Sequence, residues 1–93
     1  MNLEQIRKRI DKIDAKLVAL IAERQSYMTD VGKYKKRNNL PYYQPEREEE
    51  IIKSKKEMAK KSGANPNLIK KIFILIFKNS RKIQKMAETS FFT

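Results

Sequence analysis

The chain has 93 residues, room for one small domain. It contains no histidine, cysteine or tryptophan, which excludes imidazole bases, thiolate nucleophiles, disulfides and His/Cys metal sites; its two glycines, Gly32 and Gly63, leave no glycine-rich phosphate cradle. Lys and Arg number 22 against 11 Asp and Glu, a net charge of +11, so the expected partner is an anion: nucleic acid, an acidic surface or a small polycarboxylate.

Proline, glycine and asparagine interrupt the chain at Asn38-Asn39-Leu40-Pro41 and again at Ser62-Gly63-Ala64-Asn65-Pro66. The apolar spacing between these joints predicts three amphipathic helices, over about residues 3–37, 45–62 and 66–88, and no strands. The expected fold class is all-α, one helical domain over residues 1–93. The longest apolar run, Ile72 to Phe77, is too short to span a bilayer, and the N-terminus lacks the apolar core of a signal peptide. A cytoplasmic protein is expected, with no membrane partner.

Helix 1 starts at Asn2, a good N-cap, with Gln5 completing a capping box. Its apolar stripe runs Leu3, Ile6, Ile10, Ile13, Leu17, Leu20, Arg24, Tyr27, Val31 and Tyr34, in the steps of three and four of a helix–helix seam. Thirty-five residues make a rod of about 52 Å, whereas a compact chain of this length has a diameter of roughly 32 Å. The seam therefore needs another cover, most simply a second copy, and an intertwined helical homodimer is expected. The competing reading is an elongated monomer in which helices 2 and 3 close part of the seam.

Arg24 stands where the seam asks for Leu or Ile. A buried charge persists when it is paired or binds an anion. Lys35, 11 residues on, lies only about 20° away around the axis and about 16 Å along it, so a small dianion between them could meet both. Arg7 lies 17 residues before Arg24, roughly 25 Å along the helix and about 100° around it. It cannot enter the same pocket from its own chain, but in a dimer of antiparallel type it could complete the partner's.

Helix 2 opens with Gln44 at the cap, Pro45 at the first helical position and Glu46, Glu48 and Glu49 in the first turn. Arg47 and Glu48 are its candidate inward polar groups. It ends near Ser62, with Gly63 as a left-handed cap. Helix 3 starts at Asn65-Pro66 and carries Ser80 and Gln84, one turn apart, on the face begun by Ile69, Phe73 and Ile76. Polar groups on such a face need partners. The tail 89–93 is expected to fray. The inward set is then Arg24, Lys35, Arg47, Glu48, Ser80 and Gln84, with Arg7 in trans: a cationic pocket with one carboxylate, amide and hydroxyl groups, and no nucleophile–base pair. Such a site suits a small dicarboxylate bearing a hydroxyl, and catalysis by positioning and electrostatics.

From about Leu3 to Ala87 the chain resembles the all-helical (AroQ-class) chorismate mutases. The resemblance is carried by Ile6-Arg7-Lys8-Arg9-Ile10-Asp11-Lys12-Ile13-Asp14, Leu20-Ile21-Ala22-Glu23-Arg24, Val31-Gly32-Lys33-Tyr34-Lys35, Pro45-Glu46-Arg47-Glu48, and Phe73 through Ser80 to Gln84, all in order. It implies a Claisen rearrangement of chorismate to prephenate in Phe and Tyr biosynthesis, without cofactor or metal, in an intertwined dimer. It further implies that Arg24 and the partner's Arg7 hold the two carboxylates, that Lys35 and Gln84 donate to the ether oxygen, and that Glu48 accepts from the hydroxyl. Arg47 would bind a carboxylate, with Ser80 supporting nearby. Gln44 departs from the acidic residue many members carry beside the hydroxyl site.

Two rivals remain. Isochorismate pyruvate lyases share the helical fold and a similar pocket, but Glu48 favours the mutase. A basic helical nucleic-acid-binding dimer would explain the charge. However, the cations divide ten, six and six among the three helices without forming a stripe, and the seam Arg24 would go unexplained, so nucleic acid is not the expected partner.

Overall fold

A computed structural model describes the backbone of residues 1–90 and the side chains of residues 1–87. Among the described residues there are three helices, α1 (Leu3–Arg37), α2 (Pro45–Ser62) and α3 (Pro66–Ser90), and no strand. The third helix runs two residues beyond its expected end, through the start of the segment expected to fray; the rest of that segment, 91–93, lies outside the described residues.

Local chemistry accounts for the helix limits. The Asn2 side chain accepts from the Gln5 N–H at 2.9 Å, and the Asn2 N–H donates to Gln5 Oε1 at 3.0 Å, so two of the helix's otherwise unpartnered amides are satisfied. At the far end Lys35, Lys36 and Arg37 face the negative pole of the helix dipole. Asn39 takes a positive φ of 55°, and the Leu40 N–H turns back to the Lys35 carbonyl at 2.8 Å. The second helix has Pro45 at its start and ends on Gly63 at φ 81°. Gln44 occupies the N-cap position but makes no side-chain capping bond, because its longer side chain suits that geometry less well than Asp or Asn. Asn65 does cap α3: its Oδ1 accepts from the Asn67 and Leu68 amides at 2.9 and 3.2 Å.

The third helix lies in the middle. It packs against α1 on one side and α2 on the other, and no comparable packing joins α1 to α2. The result is a sheet-like layer of helices measuring 55 × 28 × 14 Å, little thicker than one helix. Its radius of gyration, 16.6 Å, exceeds the roughly 12 Å of a compact chain of this size.

Such a layer has almost no interior. Phe77, Ala59 and Ala87 are the buried apolar residues among those described, and Ser80 and Gln84 are buried as deeply. The apolar seam along the first half of α1 remains uncovered: Leu3, Ile6, Ile10, Ile13, Leu17 and Leu20 are between 39 % and 62 % exposed. Helices 2 and 3 of the same chain do not close it.

Candidate functional site

The deepest polar contacts join α1 to α3. Arg24 comes from the α1 seam and donates to Ser80 Oγ at 2.6 Å; Ser80 Oγ donates in turn to the Ile76 carbonyl at 2.8 Å. The Arg24 guanidinium also lies 5.9 Å from the centre of the Phe77 ring. Burial among these groups pushes its pKa below the usual arginine value, since desolvation disfavours the charged form. A half-buried cation whose neighbours are a hydroxyl and an aromatic face is poised to gain from an anion.

Eleven residues further along α1, Lys35 Nζ donates to Gln84 Oε1 at 2.8 Å and to the Tyr42 carbonyl at 3.2 Å. The Gln84 amide nitrogen points at Met28 Sδ, 3.7 Å away. A thioether is a weak acceptor, so a better acceptor entering here would displace it at little cost. Gly32 makes this arrangement possible. A Cβ at that position would lie 2.6 Å from the Gln84 carbonyl oxygen, so only glycine lets α3 approach closely enough to bring Gln84 beside Lys35.

The second helix supplies the opposite wall. Glu48 faces inward, half-buried, and accepts from Arg81 Nη1 of α3 at 2.5 Å. The Arg81 guanidinium also lies over the Tyr43 ring, 4.7 Å from its centre. Together these walls enclose a cavity of about 290 Å³, whose lining includes Arg24, Lys35, Gln44, Arg47, Glu48, Ser80 and Gln84. A larger, more open recess of about 490 Å³ adjoins it around Pro41, Tyr43 and Glu46. That recess holds none of the buried polar groups, so the smaller cavity is the candidate site.

Comparison with known proteins decides what this arrangement belongs to. The family model described as chorismate mutase type II matches residues 6–85. The chain belongs to the type II chorismate mutase family. It is 37 % identical over 84 residues to a chorismate mutase of Methanocaldococcus jannaschii, covering 90 % of this chain and 85 % of that one. It is also 35 % identical over 79 residues to a T-protein of Enterobacter agglomerans and 36 % identical over 70 residues to a T-protein of Haemophilus influenzae. Those matches take in 85 % and 75 % of this chain but only 21 % and 19 % of the T-proteins. Chorismate mutases are isomerases, and the three-helix, strand-free architecture of the described residues is that of the all-α class.

Of the residues expected to form the mutase site, Arg24, Lys35, Gln44, Arg47, Glu48, Ser80 and Gln84 come together around one cavity. Arg47 stands at its rim, where it is exposed and 3.7 Å from Glu50, and it borders the adjoining recess as well. Arg7 is exposed on the uncovered half of α1 and does not line the cavity. The sequence reading missed Arg81, Met28, Gly32 and the Tyr42 carbonyl. A signal for Arg81 was present, since Phe73, Phe77 and Arg81 follow one another at four-residue steps along α3. The other contacts depend on how close two distant segments come, which spacing does not encode.

Proposed function

We propose that this chain converts chorismate to prephenate at the cavity between its three helices, and that Arg24, Lys35, Glu48 and Gln84 carry the reaction. The rearrangement breaks the ether C–O bond as a new C–C bond forms. No proton is transferred and no covalent enzyme intermediate arises. Negative charge grows on the ether oxygen as its bond to carbon lengthens. Lys35 Nζ and the Gln84 amide N–H donate to that oxygen, and these bonds strengthen in the transition state, so they raise the rate rather than the affinity alone. Arg24 holds one carboxylate, with Ser80 fixing the guanidinium and Arg47 turning inward from the rim. Glu48 accepts from the substrate hydroxyl, and Gln44 lies beside it. With both ends held, the flexible ether is kept in its folded, reactive conformer.

The observation that carries this reading is the Lys35–Gln84 pair at 2.8 Å, set in the same cavity as Arg24 and Glu48. It joins a cation and an amide donor in one cavity.

The working unit in this proposal is a homodimer, in which the partner's Arg7 closes the site over the second carboxylate. The uncovered α1 seam supports it. Covering six half-exposed aliphatic side chains on each of two copies yields on the order of 10 kcal/mol before the costs of association. The reaction belongs, in this reading, to Phe and Tyr biosynthesis in the cytoplasm.

The test is to incubate the purified protein with chorismate, follow the loss of its ultraviolet absorbance and identify the product by NMR. Isochorismate is run in parallel. Prephenate is expected from the wild type, and Arg24→Ala should lower kcat/KM by about 100-fold or more, because it removes a desolvated charge from a carboxylate contact. Salicylate and pyruvate from isochorismate would replace the mutase with the lyase. Inertness toward both substrates in a folded dimer would overturn the enzymatic reading.

A further inference from the structure

The ion pair between Arg81 and Glu48 differs in kind from its neighbours. Lys8–Glu4, Arg47–Glu50 and Lys60–Glu57 each span a single turn of one helix and lie largely in solvent. The Arg81–Glu48 pair instead joins α3 to α2, with the two side chains only 26 % and 21 % exposed. It also sits within the lining of the candidate cavity. Arg81 is itself held on its other side by the Tyr43 ring, which belongs to the segment leading into α2.

This geometry matters because of how α2 is attached. Helix 1 is tied to α3 by Arg24–Ser80, Lys35–Gln84 and Gln25–Asn79, so the groups that face the carboxylate and the ether oxygen are fixed by several bonds. Helix 2 packs on α3 but not on α1, and the carboxylate it contributes is held from α3 by Arg81. One carboxylate oxygen of Glu48, Oε1, takes the Arg81 bond, which leaves Oε2 to receive a hydroxyl. The cation beside it also offsets the repulsion a bare carboxylate would exert on a doubly negative substrate.

We propose that Arg81 is a positioning residue for the rearrangement: clamped over Tyr43, it orients Glu48 toward the substrate hydroxyl and neutralises its charge against the dianion. The inference rests on the assignment of Glu48 to the substrate hydroxyl. Arg81 acts through Glu48, not on the substrate.

The experiment is a double-mutant cycle. Chorismate kinetics are measured for the wild type, Arg81→Ala, Arg81→Lys, Glu48→Gln and the Arg81→Ala/Glu48→Gln double variant, each checked for helicity and melting temperature. Arg81→Ala is expected to lower kcat/KM about tenfold, mostly through KM, because the misplaced, uncompensated carboxylate repels substrate. Arg81→Lys, which keeps the cation, should recover at least half of that loss on a logarithmic scale. In the Glu48→Gln background, removing Arg81 should change kcat/KM less than about twofold. A full tenfold loss in that background would mean that Arg81 contacts substrate directly and would overturn the proposal. So would an Arg81→Ala enzyme with wild-type kinetics, or equal losses in the Lys and Ala variants. If the wild type itself leaves chorismate unchanged, the mutase reading fails and this inference fails with it, an outcome visible before any variant is made.

Discussion

A Cβ placed on Gly32 would meet the Gln84 carbonyl oxygen at 2.6 Å, the Gln84 Cα at 2.8 Å and the Ala87 Cβ at 3.0 Å. Two of these three neighbours are backbone atoms of a helix, which cannot yield as the end of a flexible side chain can. Gly32→Ala must therefore push α1 and α3 apart where Lys35 meets Gln84. Over-packing of this kind destabilises by about 1–3 kcal/mol, which in a domain of this size lowers the melting temperature by roughly 4 °C or more. With Lys35 and Gln84 acting on the ether oxygen, kcat should fall further than KM rises, because the displaced groups serve the developing charge. Thermal melts and steady-state kinetics on one preparation check both. At the residue scale the sequence disclosed what was out of place: a cation on a seam at Arg24, and polar groups on an apolar face at Ser80 and Gln84. All three line one cavity, Arg24 bonded to Ser80 and Gln84 to Lys35. It did not disclose Gly32, whose role depends on a backbone 52 residues away, or the engagement of Arg81 with Glu48, 33 residues away.

At the scale of the elements, the helix limits are set by chemistry within a few residues, and these were the most legible features of the sequence. The Asn2–Gln5 capping box and the Gly63 cap both appear as read. Gln44 shows the limit of such reading: it stands at the expected cap position, but its side chain leaves the cap bond unmade. Gly63 offers a clean test. Its φ is 81°, and no atom lies within 4 Å of where a Cβ would be, so a substitution there meets backbone strain and no clash. Gly63→Ala should cost about 1 kcal/mol and leave kcat/KM for chorismate within about twofold, since Gly63 lies at the far end of α2 from Glu48. Chemical denaturation measures the first and steady-state kinetics the second. A large loss of activity would mean that the α2–α3 joint governs the site.

The whole molecule is a single layer of helices whose longest member displays an apolar seam to solvent. The length of that helix against the size of a compact globule already implied that the chain would not cover itself, and the fully described seam from Leu3 to Leu20 bears this out. What could not be read is how the proposed second copy would pair with the first, because a seam with steps of three and four admits several crossing points. The proposed pairing brings Arg7 of each copy to the cavity of the other, and a mixed dimer examines that directly. Arg7→Ala and Arg24→Ala chains carrying different affinity tags are co-expressed, and the heterodimer is isolated by both tags. Each homodimer should be nearly inactive, since every one of its sites lacks one guanidinium. The heterodimer has one site missing both and one site intact, so it should show about half the wild-type rate per dimer. A heterodimer as inactive as its parents, or an Arg7→Ala homodimer with full activity, would contradict a site shared between two copies of this chain.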